Sequence, residues 1–318
     1  MNHAIEASGL TKVYRGGVRA LDGLSFAVEE GTVFGLLGPN GAGKSTAVRI
    51  LTTLAKHDGG SARVAGFDVA REPENVRRAI GCVAQKSGLD VDATGRENLT
   101  LQGRLCGMAG SDIERRAGEL LGRFGLAGAG DRAVRGYSGG MQRRLDVAMG
   151  LMHRPRVLFL DEPTTGLDPE ARATMWQELS TLVRDERLTV LLTTHYLEEA
   201  DRLAGRLAIV DRGRVVVQGS PDELKANLRG DSIQVELGAP ETDPFFLEVL
   251  AEVAGVRDVS IDGSRLFARL DGGSTAIPAV LAVIESMGAA IASVRVASPS
   301  LDDVYLRHAG RAYHGDWV

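Results

Sequence analysis

The sequence predicts an α/β domain with a helical subdomain set into it, followed by a small α+β domain. Three observations lead there. Apolar runs alternate with helical segments in the first part, among them "TVFGLLG" at 32–38, "RVLFLDEP" at 156–163 and "LTVLLTTH" at 188–195. Runs that are apolar on both faces suit strands buried in a mostly parallel sheet covered by helices. From about 86 to 152 the pattern turns to helices with few strand signals. From about 231 the order becomes β-α-β-β-α-β, which suggests a ferredoxin-like unit.

Each element follows from its residues. "TVFGLLG" ends at Gly38, and "STAVRILTTL" beyond it reads as a helix. "RLAIVDRGRVVVQGS" at 206–220 reads as a hairpin joined by Asp211, Arg212 and Gly213. Ser220-Pro221 then opens a short helix, because Pro suits the first helical turn. In the second domain Ile233, Val235 and Leu237 alternate as a half-buried strand should. Phe246, Val249, Leu250 and Val253 recur at helical spacing. Val259 and Ile261, then Leu266, Ala268 and Leu270, make two strands around Gly263-Ser264. Ile277, Val280, Leu281 and Ile284 form a second helical face, and "AAIASVRVAS" at 289–298 closes with a strand. This domain holds no cluster of His, Cys or paired carboxylates, which favours a structural or regulatory appendage. The expected division is 1–228 for the larger domain and 229–318 for the small domain and tail.

Composition excludes several classes. With 44% hydrophobic and 25% charged residues, the 318-residue chain has an ordinary globular profile. A net charge of −5 gives no electrostatic footprint for nucleic acid. No apolar run reaches the roughly 18 residues that cross a bilayer. "MNHAIEASGL" has no basic start followed by an apolar segment, so no secretory signal is expected. Cys82 and Cys106 stand in no metal-ligand spacing and are expected as free thiols in a reducing compartment.

The chemistry concentrates in a few short stretches. "GPNGAGKST" at 38–46 fits the phosphate-loop pattern from Gly38 to Ser45, between a strand and a helix. Gly38, Pro39, Asn40, Gly41, Ala42 and Gly43 let the backbone wrap closely around phosphates and aim N–H groups inward. Lys44 brings a mobile charge to the β- and γ-phosphates. Ser45 supplies a hydroxyl for Mg²⁺, and Thr46 continues into a helix whose positive end faces the phosphates. Asp161 and Glu162 end an apolar strand. Asp161 is expected to hold Mg²⁺, and Glu162 to take a proton from the attacking water. An Asp-Glu pair alone is weak evidence; with the phosphate loop it points to hydrolysis rather than mere binding. His195 ends another apolar strand, within reach of a γ-phosphate as donor, and Gln85 ends "AIGCVAQ", placed for both Mg²⁺ and water. Alone, either residue is ordinary. Tyr14 precedes the phosphate loop, where an aromatic ring stacks on adenine for roughly 1–3 kcal/mol; the competing reading is a core aromatic. Ser138, Gly139 and Gly140 open an amphipathic helix, a second corner suited to an anion.

Together these residues resemble the ATP-binding subunits of ABC transporters, over residues 5 to about 225. The motifs stand in order: Tyr14, the loop 38–45, Gln85, a signature at 137–141, Asp161-Glu162, "GLD" at 166–168 and His195. "SPSLDDVYLRHAG" at 298–310 is similar to the tail of the daunorubicin/doxorubicin-resistance-type exporter ATPases. The resemblance implies a P-loop NTPase domain that binds ATP with Mg²⁺ and hydrolyses it. It implies a homodimer in which Ser138, Gly139 and Gly140 complete the partner's ATP site and Asp168 connects the two sites. It further implies a separate integral-membrane permease, met by the helical subdomain and the loop after Gln85. The chain is then cytoplasmic, peripheral on the inner face of the cell membrane, and powers export of a drug-like or hydrophobic compound without contacting nucleic acid. Two positions depart from the pattern. Tyr137 stands where many members have Leu, and Met141 where many have Gln. Met cannot hydrogen-bond a ribose as Gln can, so either affinity or nucleotide selectivity changes or the position packs. The competing function is a non-transport ATPase of the same fold. The repair and chromosome-organising members carry a long coiled coil between phosphate loop and signature, and no sustained heptad pattern runs from Lys44 to Ser138.

Overall fold

In the computed structural model the described residues are 3–164, 167–228, 231–239, 244–270, 276–297 and 299–309. The chain divides into two compact units, Met1–Gln218 and Gly219–Val318.

The first unit is built on two sheets. An antiparallel sheet holds β1 (His3–Val13), β2 (Arg19–Glu29), β4 (Gly59–Val64) and β5 (Phe67–Asp68) in the order β2-β1-β4-β5. The second sheet joins β3 (Val33–Leu37), β6 (Ile80–Val83), β7 (Val157–Asp161), β8 (Thr189–Thr194), β9 (Arg206–Asp211) and β10 (Arg214–Gly219). Its order is β10-β9-β3-β8-β7-β6, and the strands from β9 to β6 run parallel. The helices of this unit are α1 (Lys44–Leu51), α2 (Pro73–Ala79), α3 (Gly95–Leu105), α4 (Gly110–Arg123), α5 (Gly139–Gly150), α6 (Pro169–Glu186) and α7 (Leu197–Leu203).

The doubly apolar strands have a direct cause. Val157 and Phe159 of β7, with Leu191 of β8, face one core, shared with α1 and the antiparallel sheet. Leu158 and Leu160, with Val190 and Leu192, face a second core shared with α3, α4, α5 and α6. Each of these side chains is fully buried, and each contributes about 1.5–3 kcal/mol by leaving water. Between Val83 and Val157 there is no strand, only a Thr94–Ala133 bridge, so the expected helical subdomain is present. The parallel sheet points the C-terminal ends of β3, β6, β7 and β8 in one direction, where the phosphate loop, Gln85, Asp161, Glu162 and His195 sit.

The second unit contains β11 (Asp231–Leu237), α9 (Pro244–Ala251), β12 (Val256–Asp262), β13 (Arg265–Leu270), α10 (Ile277–Ser286) and β14 (Ile291–Ala297), with α8 (Pro221–Ala226) before and α11 (Leu301–Ala309) after. Its antiparallel sheet has the order β12-β13-β11-β14. That is the ferredoxin-like arrangement. The division differs from the expected 228/229 because α8 belongs with the second unit. Ser220 and Glu223 close a capping box on α8, α8 packs on α11, and the Leu228 carbonyl accepts from Arg269 Nη1 at 3.4 Å.

Candidate functional site

The phosphate loop leaves β3 at Gly38. A Cβ at Gly38 would lie 2.3 Å from the Val210 carbonyl oxygen, so only glycine lets this turn pass β9. Gly43, at φ 108, caps α1, and a Cβ there would lie 2.4 Å from the Ala20 carbonyl oxygen. The loop is pinned from outside: Gly213 N–H donates to the Ala42 carbonyl at 2.8 Å. Lys44 is buried at 4% exposure. Its Nζ donates to the carbonyls of Gly38 at 2.6 Å and Pro39 at 3.2 Å. Burial lowers its pKa, opposed by the charges of Glu162 and Asp161.

Six of the candidate residues converge through polar contacts. Ser45 Oγ donates to Asp161 Oδ1 at 3.3 Å, and the Thr193 hydroxyl donates to the same oxygen. Glu162 is the centre. Its Oε1 lies 3.9 Å from Lys44 Nζ and 3.2 Å from His195 Nδ1, and its Oε2 accepts from Gln85 Nε2 at 3.2 Å. Glu162 has φ 48, a left-handed backbone that costs a non-glycine residue on the order of 1–3 kcal/mol. Its N–H is held by the Thr193 carbonyl and hydroxyl, each at 3.1 Å. The Tyr196 ring packs on His195 at 4.2 Å between centroids, and the Arg172 guanidinium covers Tyr196 at 4.5 Å.

The other candidates sit apart from that cluster. Among the described residues, Tyr14, Asp168 and Ser138 to Gly140 share no hydrogen bond or ion pair with it. Tyr14 stands half-exposed after β1, with Lys12 Nζ 5.7 Å from its ring centroid, so it is not a core aromatic. Asp168 caps α6, its Oδ1 accepting from Ala171 N–H at 2.8 Å. Of the "GLD" stretch, Gly166 lies outside the described residues. Ser138 caps α5, its Oγ accepting from Met141 N–H at 3.2 Å. A Cβ on Gly139 would meet open space, while one on Gly140 would touch Ala171 Cβ at 3.2 Å.

Both unusual signature residues have structural partners. The Tyr137 side chain is buried, and its hydroxyl donates to the Ala129 carbonyl at 2.7 Å. A Cβ on Gly95 would lie 2.5 Å from that hydroxyl, so the Tyr at 137 requires glycine at 95. Met141 is half-buried and packs on the core of the helical subdomain.

Among the buried charged residues that the sequence did not single out, Arg143, Asp146 and Glu199 lie in the first unit. Arg143 on α5 is 8% exposed. Its Nε donates to the Pro163 carbonyl at 2.6 Å, its Nη1 to Ala84 at 2.8 Å, and its Nη2 to Asp161 at 3.2 Å and Glu162 at 3.3 Å. Asp146, one turn on, accepts from Ser87 Oγ at 3.1 Å and Gly88 N–H at 3.3 Å. Glu199 on α7, fully buried, accepts from Thr164 Oγ1 at 3.0 Å and Trp176 Nε1 at 3.2 Å, and burial pushes its pKa up. A signal for the first two was available: Arg143 and Asp146 fall on the same helical stripe as the buried Val147 and Gly150.

A glycine-cradled lysine, a carboxylate at a parallel strand end and a histidine just past the next strand converge at one end of an α/β sheet. Residues 21–165 match the family described as ABC transporter, and residues 219–309 match the C-terminal domain of DrrA1-3-like ATP-binding proteins. The daunorubicin resistance ATP-binding protein DrrA2 of Streptomyces coeruleorubidus is 48% identical over 97% of this chain and 95% of its own. The daunorubicin/doxorubicin resistance ATP-binding protein DrrA of Streptomyces peucetius is 46% identical over 96% and 92%. The Nod factor export ATP-binding protein I of Ralstonia nicotianae is 38% identical over 96% and 94%. Among solved structures, a dimeric ATP-binding cassette in a post-hydrolysis state with ADP and Pi aligns at TM-score 0.62 and 27% identity, over 68% of this chain and 98% of that one. The chain therefore belongs to the ATP-binding subunits of ABC transporters, in the group of the daunorubicin/doxorubicin-resistance ATP-binding proteins. It binds and hydrolyses ATP.

Proposed function

We propose that this chain acts as a homodimer that powers a separate integral-membrane permease from the inner face of the cell membrane, exporting a drug-like or hydrophobic compound. The names of the relatives, resistance to daunorubicin and export of Nod factor, support the direction and the substrate class. The dimeric cassette bound to ADP and Pi supports the assembly. A groove of about 430 Å³ supports the permease reading. It is lined by Leu54, Gln102, Cys106, Met149 and His153, and α3 exposes Leu101 and Leu105. No helix among the described residues is long and apolar enough to cross a membrane, consistent with a permease on another chain.

The convergence on Glu162 carries the catalytic reading. Ser45 Oγ and Asp161 Oδ1 are hard oxygen donors 3.3 Å apart, a set that fits Mg²⁺ shared with substrate phosphates. When bound, that ion neutralises charge developing on the phosphates. The backbone from Gly38 to Ser45, with Thr46 in the first turn of α1, grips the phosphates. Lys44 exchanges its carbonyl partners for the β- and γ-phosphate oxygens. Tyr14 stacks on adenine. Glu162 removes a proton from water as the water oxygen attacks the γ-phosphorus and the bond to the ADP oxygen breaks. Gln85, bonded to Glu162, orients that water and serves the ion's shell, and His195 donates to the γ-phosphate. Ser138, Gly139 and Gly140 meet the partner's ATP, and Asp168 links the two sites.

The test is Glu162→Gln. Turnover should fall by at least about 100-fold, the scale of a lost general base, while ATP still binds. Unchanged kcat would remove Glu162 from the role of base.

A further inference from the structure

We infer that Arg143, backed by Asp146, is a positioning residue that locks the catalytic strand ends of one ATP site to the helix whose N-terminus serves the other. The inference rests on the reading that Ser138, Gly139 and Gly140 meet the partner's ATP.

The geometry carries it in three steps. First, the four carbonyls that Arg143 gathers flank the reacting groups. Ala84 immediately precedes Gln85, and Asp161, Glu162 and Pro163 span the base. A planar guanidinium presents five N–H donors in a fixed fork, so one side chain fixes two strand ends at once; an ammonium is a single point and cannot. Second, Asp146 extends the grip. Its Oδ2 lies 3.8 Å from Arg143 Nη1, and its Oδ1 holds Ser87 and Gly88, the segment that follows Gln85. The left-handed turn at Glu162 persists only because its surroundings over-determine it, and Arg143 is on its carbonyl side as Thr193 is on its amide side.

Third, both residues ride on α5, whose cap is Ser138. A helix is a stiff element, so a shift of its N-terminus onto phosphate is transmitted to Arg143 one turn along and from there to Glu162 and Gln85. Occupancy of one site then biases the chemistry of the other, which is a coupling between two distinct sites. Arg143 touches no reacting atom; it acts through Glu162 and Gln85.

The experiment uses the full chain, with ATP as the probe in binding and in steady-state hydrolysis. Arg143→Lys should lower kcat by about 100-fold, the scale of a displaced catalytic group. It should keep ATP Kd within about twofold and bring the Hill coefficient for ATP toward unity. Asp146→Asn, which keeps the fork of Arg143, should lower the Hill coefficient with a smaller loss of kcat. Wild-type kcat and Hill coefficient in Arg143→Lys overturn the inference. So does a loss of kcat matched by an equal loss of ATP binding and thermal stability, which marks a merely structural residue. If Arg143→Lys does not fold, unchanged cooperativity in Asp146→Asn overturns it. Ser138→Arg separates the two readings. If Ser138→Arg leaves hydrolysis and cooperativity intact, the signature reading fails and this linkage with it. If it abolishes cooperativity while Arg143→Lys does not, the linkage alone fails.

Discussion

Two of this chain's buried arginines, Arg143 in the first unit and Arg269 in the second, do different work. Arg143 in the first unit directs its guanidinium at four backbone carbonyls at the ends of two parallel strands. Arg269 in the second, 6% exposed on β13, pairs with a carboxylate, Asp303 of α11, at 3.3 Å and reaches the Leu228 carbonyl at 3.4 Å. The first arginine holds the strand ends that carry Glu162, the proposed base, and Gln85. The second ties helices to a sheet in a unit that has no group of three or more metal-ligating side chains among its described residues. A buried arginine is thus not itself a sign of function. What it holds decides: strand ends that carry Glu162 and Gln85, or a helix that carries packing residues such as Val304 and Tyr305.

The sharpest way to break this contrast is to remove the second arginine. Arg269→Met leaves Asp303, 8% exposed, with the Ser300 amide at 2.8 Å and hydroxyl at 2.9 Å as its hydrogen-bond partners among the described residues. Removing one partner of a buried pair costs about 3–5 kcal/mol. In a domain of this size that lowers the unfolding transition by more than about 10 °C. Scanning calorimetry of the full chain should show a destabilised second unit, with ATP binding by the first unit retained. Adding Asp303→Asn should recover part of the loss, because the uncompensated charge is then gone. Loss of ATP binding in a chain whose first unit still melts normally would mean that the second unit also serves the nucleotide.

The two arginines also show what a sequence can yield. The parallel strands were legible because Val157 to Leu160 and Val190 to Leu192 are apolar on both faces, and each face meets its own core. The converging residues were legible because glycine spacing and strand-end carboxylates are local patterns. Arg143, Asp146 and Glu199 were not read, because their partners lie far along the chain: Pro163, Ala84, Ser87, Thr164 and Trp176. The antiparallel sheet of β1, β2, β4 and β5 was missed as well. Its strands carry several bulges, which blur the two-residue alternation that marks a strand. The expected boundary at 228/229 falls after α8 because α8 follows the β9-β10 hairpin directly, whereas its packing partner α11 is about eighty residues further on.

A smaller effect tests the signature's own departure from its family. Tyr137 and Gly95 fit only as a pair, since a Cβ at 95 would come within 2.5 Å of the Tyr137 hydroxyl. Gly95→Ala should destabilise the first unit by about 1–3 kcal/mol through overpacking at the start of α3. Tyr137→Phe alone removes a buried hydrogen bond to Ala129 and leaves that carbonyl without it, at about 1 kcal/mol. The double variant should be more stable than the sum of the two losses implies, because Phe removes the atom that Ala would strike. Urea unfolding of the four proteins measures the coupling. Strict additivity would show that the two positions do not share a space, and that the Tyr in the signature has another cause.

The last effect concerns acid. The carbonyls gathered by Arg143 do not titrate, whereas the acidic partner of Arg269 adjoins a residue that does. Burial pushes the Asp302 carboxyl up to about 6 from 3.8, with the Asp303 charge adding to it. A folded-state pKa above the unfolded one favours the protonated side chain in the fold. Its contribution to stability is complete below the ordinary carboxylate value and is lost as pH rises through about 6. The second unit should therefore lose stability between about pH 4 and pH 6 on account of Asp302, against the general trend of paired carboxylates. Asp302→Asn fixes the neutral form. It should raise the melting temperature of the second unit at pH 8 relative to the unaltered chain and leave it unchanged near pH 4. A melting curve that shifts equally at both pH values would show that the substitution acts through packing rather than charge.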